Sequence, residues 1–159
     1  MNRRAQTNQL LYQARLMLDQ AEVADAPALI DASEDAAMAF MHRAVRSALA
    51  EAAEAYGLAL SPDRPLYDLL RQFGEQQPDA WEYRTTQEAL TQPEHWLTRL
   101  HQAGEHWAGR VGQSAVKSES HDRIELVLSD DQSTTNHYRN WMTDLQQWVD
   151  RIRELGDYS

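Results

Sequence analysis

The side chains best suited to chemistry gather between positions 94 and 111. Glu94, His101 and Glu105 are spaced seven and four apart. On a helix those intervals place them in one column. Two carboxylates and an imidazole are ligand types for a divalent ion. The same column is also the ordinary outer face of an amphipathic helix. Carboxylate di-iron sites in helical bundles use paired Glu-x-x-His motifs, and the chain contains neither that motif nor His-Glu-x-x-His. The run from Gly104 to Val111 falls short of a phosphate loop. Arg110 and Val111 stand where Lys and Ser or Thr are needed, and the run lies within a helical pattern instead of following a strand. The reading is therefore no metal and no cofactor.

Two further patterns share this stretch. Glu-His-Trp occurs at Glu94-His95-Trp96 and again at Glu105-His106-Trp107. Eleven residues is about three helical turns, so the copies overlay. Tryptophans in the core with histidines at its boundary account for them more simply than a recognition face does. Arg99 and His106 have a gap similar to that of the Arg and His in HEPN-type ribonucleases. There the pair would position and protonate an RNA phosphate. Leu100 departs from the polar residue which that family places after the arginine. His42, beside Arg43 and Arg46, is a lone histidine at the edge of an apolar stripe. Nothing in the linear sequence assembles a site around it.

The elements that must carry these residues are helical. Met38, Met41, Val45, Ala48, Leu49, Ala52 and Tyr56 recur at steps of three and four. The spacing predicts a central helix over Ala36–Tyr56, capped by Asp31 or Ser33 with Glu34 in a capping box and ended at Gly57. Its many alanines would face the bulky tryptophans of later helices. A first helix is expected over Arg4–Val23, with Leu10, Leu11, Ala14, Met17, Leu18 and Ala21 inward. Short helices are expected over Leu66–Phe73, capped by Ser61 or Asp63 and ended by Gly74, and over Ala80–Leu90, with Trp81 and Leu90 as anchors. Another runs over Glu94–Val111, where Gly104 would let a bulky neighbour, such as a tryptophan, reach the backbone. The last spans Thr135–Leu155, stopped by Gly156. Its seam of Tyr138, Trp141, Leu145, Trp148, Ile152 and Leu155 has heptad spacing. Between the last two helices, residues 112–134 lack helical period and read as an extended or partly disordered connection. Ile124, Leu126 and Leu128 within it alternate as a strand would.

Composition narrows the function. Lys plus Arg is 15 against 25 Asp plus Glu, a formal charge of −10 over 159 residues. Phosphate backbones are bound by clustered Lys and Arg, so nucleic acid is an unpromising partner, and anionic membranes equally so. No apolar run approaches transmembrane length. The chain has no cysteine, which removes disulfides and thiolate chemistry. The basic N-terminus lacks the apolar run of a signal peptide, and the location expected is cytoplasmic. Five tryptophans are unusual for this length, and interfaces are enriched in Trp. Trp141 and Trp148, with Ile124, Leu126 and Leu128, are therefore the expected interaction surface.

Asn8-Gln9-Leu10-Leu11-Tyr12-Gln13-Ala14-Arg15, the alanine-rich helix, Glu94-His95-Trp96-Leu97-Thr98-Arg99-Leu100, Trp141-Met142-Thr143-Asp144-Leu145 and Arg153-Glu154-Leu155 together resemble a family of small uncharacterised gammaproteobacterial proteins, classed as a domain of unknown function. The resemblance implies a bacterial helical protein and transfers no functional residues. The expected fold is all-α: one domain over residues 1–159, a bundle of about four main helices plus one or two short ones. The expected function is a non-enzymatic protein-interaction or structural module of a bacterial cytosol, with self-association or a protein partner. The alternative is a HEPN-like ribonuclease or toxin–antitoxin-type component, with Arg99 and His106 as catalytic residues.

Overall fold

The computed structural model describes residues 2–113 and 133–157, with side chains as far as Gly109 in the first span. Ile124, Leu126, Leu128 and most of the 112–134 connection lie outside the described residues. Among the described residues six helices follow in order: α1 (Arg3–Val23), α2 (Pro27–Glu54), α3 (Leu66–Gln76), α4 (Trp81–Leu90), α5 (Trp96–Gln113) and α6 (Thr134–Asp157). The long α1, α2, α5 and α6 form the bundle and α3 and α4 are the short additions, with no strand among the described residues.

The inward row of α1 is the one its spacing predicts, with Leu11, Ala14, Leu18 and Ala21 buried. Asn2 starts this helix by accepting from the Ala5 amide at 2.7 Å. α2 is longer than expected. Pro27 occupies its first turn, where a missing N–H costs nothing, so the predicted join from Ala24 to Ser33 is mostly helix. Asp31, Ser33 and Glu34 are consequently inside the helix and form no capping box at its start. Glu34 is instead buried and accepts from Thr135 Oγ1 of α6 at 2.6 Å. Hydrogen bonds to carboxylates are worth about 1.5–3 kcal/mol. Thr135→Val should therefore lower unfolding stability by about that amount in urea titrations, whereas Thr143→Val, on the exposed face of the same helix, should cost far less.

At the other end of α2, Gly57 has φ +76°. The Leu58 amide donates to Ala53 and the Gly57 amide to Glu54, both at 3.0 Å. These are the paired bonds of a Schellman stop, and the left-handed residue in it favours glycine.

α2 packs most extensively along α1 and also meets α3, α5 and α6. Ala37, Ala44, Ala48, Ala50 and Ala53 are all fully or almost fully buried, which lets these neighbours come close. Ala44 and Ala48 share one core cluster with Trp141, and Trp96, Trp107 and Trp148 pack at its margin. Across the α1–α2 seam, Thr7 and Ser47 hydroxyls bond at 2.7 Å. Arg153 of α6 grips Glu51 of α2 through two bonds of 2.8 and 3.3 Å.

The short helices depart from expectation in instructive ways. α3 begins at Pro65 without a side-chain cap, so neither Ser61 nor Asp63 serves. It continues through Gly74 to Gln76. A Cβ at position 74 would lie 2.4 Å from the Tyr83 ring, so this glycine admits α4 and does not stop the helix. Trp81 is 38% exposed and no anchor. Its ring lies 5.9 Å from the Arg151 guanidinium. Thr86, Ala89 and Glu82 carry the buried face of α4, with Glu82 accepting from the Tyr56 hydroxyl at 2.8 Å. Burial and that bond push Tyr56 up to about 12. Gly156 likewise falls inside α6, which extends to Asp157.

Candidate functional site

His42 from α2 and His101 and Glu105 from α5 converge where these two helices cross. One ligand atom from each lies within 4.8 Å of those from the others. His101 and Glu105 are separated by four residues, so they share one face of α5. His42 reaches them because Gly104 has no side chain. A Cβ there would stand 2.2 Å from His42 Cδ2 and 2.4 Å from Cγ. The backbone approach anticipated at Gly104 exists, with an imidazole in the place where an indole was expected. The two imidazoles stack with centroids 5.6 Å apart, and Tyr67 of α3 meets His101 edge-on at 5.1 Å.

The site is polar but incompletely bonded. His42 Nε2 is 3.6 Å from Glu105 Oε1, longer than a hydrogen bond. Both His42 Nε2 and His101 Nδ1 are buried without a hydrogen-bond partner among the described residues, and His101 is only 8% exposed. Burial, then the nearby Arg46 and His101, lower His42 to about 4. Burial also lowers His101, against the opposing pull of Glu105. Both rings are thus pushed toward the neutral form. A cavity of about 220 Å³ adjoins His42, lined among others by Arg46, Asp63, Glu105 and Trp107. Arg46 faces two carboxylates there, Glu105 and Asp63, whose charge partly offsets its own.

The other predicted residues are placed differently. Glu94 precedes α5 and pairs with Arg99, so the Glu94–His101–Glu105 column is broken at its first member. His42, from another helix, is the third group instead. Arg99 lines a surface concavity with Trp96, His137 and Asp144. His106 is exposed two turns further along α5, about 10 Å of helix rise away. The ribonuclease reading gains no support from this placement. The two Glu-His-Trp copies are not equivalent either. His95 precedes the helix, where its Nδ1 accepts from the Leu97 amide at 3.1 Å, whereas His106 lies within it. Trp141 is 4% exposed and stacks on Tyr138 at 5.0 Å, and Trp148 meets Trp96 edge-on at 6.2 Å. A larger open concavity of about 780 Å³ lies along α1 and α2, lined by amide side chains with Arg3, Arg43 and Ser47. Asp63 is its carboxylate, and it holds no histidine.

A family model described as "Family of unknown function (DUF6586)" matches residues 1–159. The chain belongs to that family. No curated protein and no solved structure matches it. The DUF6586 assignment agrees with the resemblance drawn from the sequence and assigns no chemistry to the His42 cluster. Sequence reasoning weighed each histidine on its own helix. The signal that could have joined them was the glycine at 104, a gap shaped for a ring, together with an unexplained histidine at 42.

Also absent from the sequence reading is the outer face of α1. Tyr12 is 58%, Leu16 41% and Val23 73% exposed. At 100° per residue these three fall within about 40° of one another, opposite the buried row. Leu29, in the first turn of α2, is exposed as well. Among the described residues no helix is long and apolar enough to cross a membrane, so this row does not belong to a spanning helix.

Proposed function

We propose that this protein is a non-enzymatic interaction module of a bacterial cytosol, and that the outer face of α1 seats a second copy of the chain. The observation that carries this reading is the exposed apolar row Tyr12, Leu16 and Val23. Large apolar side chains exposed along one helix face, here Tyr12 next to Leu16 with Val23 two turns on, are the feature that interaction sites share. The occupant follows from charge. A chain of net charge −10 repels its own copies wherever carboxylates meet. Ala5, Gln9 and Gln20 share this face and are neutral, and Asp19 is its carboxylate. Asp19 lies within the face, between Leu16 and Val23, and Arg139 pairs with it and with Glu22, each at 2.6 Å. Arg139 offsets that carboxylate, so this face repels its own copy less than a surface of unpaired carboxylates would. A two-fold axis near its middle would set the same row against itself.

Sedimentation equilibrium over a wide concentration range tests the reading. Burying a leucine contributes about 1.5–3 kcal/mol. Leu16→Glu removes that contribution and adds a charge, so it should weaken the dimer by at least about tenfold. Trp81→Ala, exposed on α4 instead, should leave the association unchanged. A wild-type chain that stays monomeric throughout, or a dimer indifferent to Leu16→Glu, rules the α1 interface out.

A further inference from the structure

The His42 cluster is independent of the α1 face, and its donors have a common target. At the α2–α5 crossing His42, His101 and Glu105 each offer a ligand atom within 4.8 Å of the others, and one nitrogen of each imidazole is buried without a partner among the described residues. Unpaired buried polar atoms are costly. Here they come from two helices and converge. We propose that His42, His101 and Glu105 form a binding site for one divalent transition-metal ion, with zinc the ion that fits best.

The donor chemistry supports this choice. Two imidazoles and a carboxylate are a recurring zinc set that leaves the fourth position open. With no thiolate in the chain, soft ions such as copper(I) are disfavoured, and an oxygen-only set suited to calcium or magnesium is absent from the cluster. Bond lengths near 2.0–2.2 Å put tetrahedral donors roughly 3.3 Å apart. The present separations are within 4.8 Å, and His42 Nε2 and Glu105 Oε1 are already at 3.6 Å. Glu105 is more than half exposed, so its carboxylate can swing inward while the imidazoles stay held by Gly104 and Tyr67. Arg46 disfavours positive charge on both rings, so a bound ion must be held against it, with Glu105 and Asp63 as the carboxylates that offset it. Arg43 and Arg46 face Glu105 and Asp63 across the neighbouring cavity. A bound ion would join α2 to α5 and stabilise the fold by mass action.

The test uses the full chain, stripped with a chelator and dialysed, then titrated with zinc by calorimetry and with cobalt(II) by visible absorption. The expected result is saturable binding of one ion per chain, with the d–d bands of a nitrogen–oxygen site. Glu105→Gln, on the exposed member, should keep the helical circular dichroism and lower affinity by more than the roughly 10- to 100-fold that loss of an outer-shell partner causes. His101→Asn should do the same. His106→Asn, the adjacent exposed histidine outside the cluster, should bind as the wild type does. Absence of saturable binding overturns the proposal. So does binding that survives Glu105→Gln in a folded protein, or binding lost with His106→Asn, which would mark a surface histidine as the ligand. None of these outcomes bears on the α1 interface.

Discussion

Gly104→Ala is expected to lower the unfolding free energy by about 2 kcal/mol, within the range for overpacked sites, and the melting temperature by about 5 °C. The sign is the informative part. In an exposed helix interior the same change stabilises by about 1 kcal/mol, because alanine is the better helix former. Here the new Cβ would meet the His42 ring at 2.2 Å, so the ring or the helix must move. The ring has little freedom, being stacked on His101 with Tyr67 behind that. A His42→Ala background removes the obstacle. Gly104→Ala should then be neutral or stabilising, and the difference between the two backgrounds measures the coupling directly. Equal effects in both would mean that the imidazole does not lie on the α5 backbone.

The metal-free protein should lose about 3 kcal/mol of stability between pH 7 and pH 4 through His42 alone. Its pKa is lowered from 6.5 to about 4 in the folded chain. Between those values the unfolded chain binds the proton and the folded chain does not. Acid therefore favours unfolding across this window, and the loss is complete once the pH falls below the folded value. The groups around the ring act in opposite senses. Burial, Arg46 and His101 disfavour its charge, while Glu105, 3.6 Å away, is the one carboxylate in the cluster. His101 is lowered too and adds to the same trend. Urea midpoints measured in chelator from pH 7 to 4 check this. His42→Gln should flatten the dependence. A slope unaltered by that substitution would place the acid sensitivity elsewhere.

Most of the architecture was legible because its signals are local. Periodicity fixes the inward faces of α1, α3, α5 and α6 from residues within a few turns. Gly57 stops α2 by its own backbone conformation. The errors arose where a local pattern competed with a distant contact. Asp31-Ala-Ser-Glu34 has the form of a capping box, yet Pro27 starts the helix a turn earlier, and Glu34 serves Thr135 across the bundle. Gly74 and Gly156 look like helix stops, but Gly74 is retained for the approach of Tyr83. Trp81 looks like an anchor by size, and its indole lies instead beside Arg151 at the surface.

The candidate site was half legible. His101 and Glu105 could be read as one face of one helix. Their partner could not, because His42 meets them only through the packing of α2 on α5. The row of Tyr12, Leu16 and Val23 was hidden for a different reason. α1 carries two apolar rows, and the stronger inward one accounts for the helix without the other.

If the outer face of α1 meets its own copy, position 16 of one chain comes close to position 16 of the other. The chain has no cysteine, so a single introduced thiol reports on that contact without background. Leu16→Cys lies near the middle of the row, and Glu88→Cys, exposed on α4, serves as the reference. With a short bifunctional thiol cross-linker at equal protein concentration, Leu16→Cys should be captured as a covalent dimer and Glu88→Cys largely not. Equal capture of the two, or none at position 16, would contradict that contact.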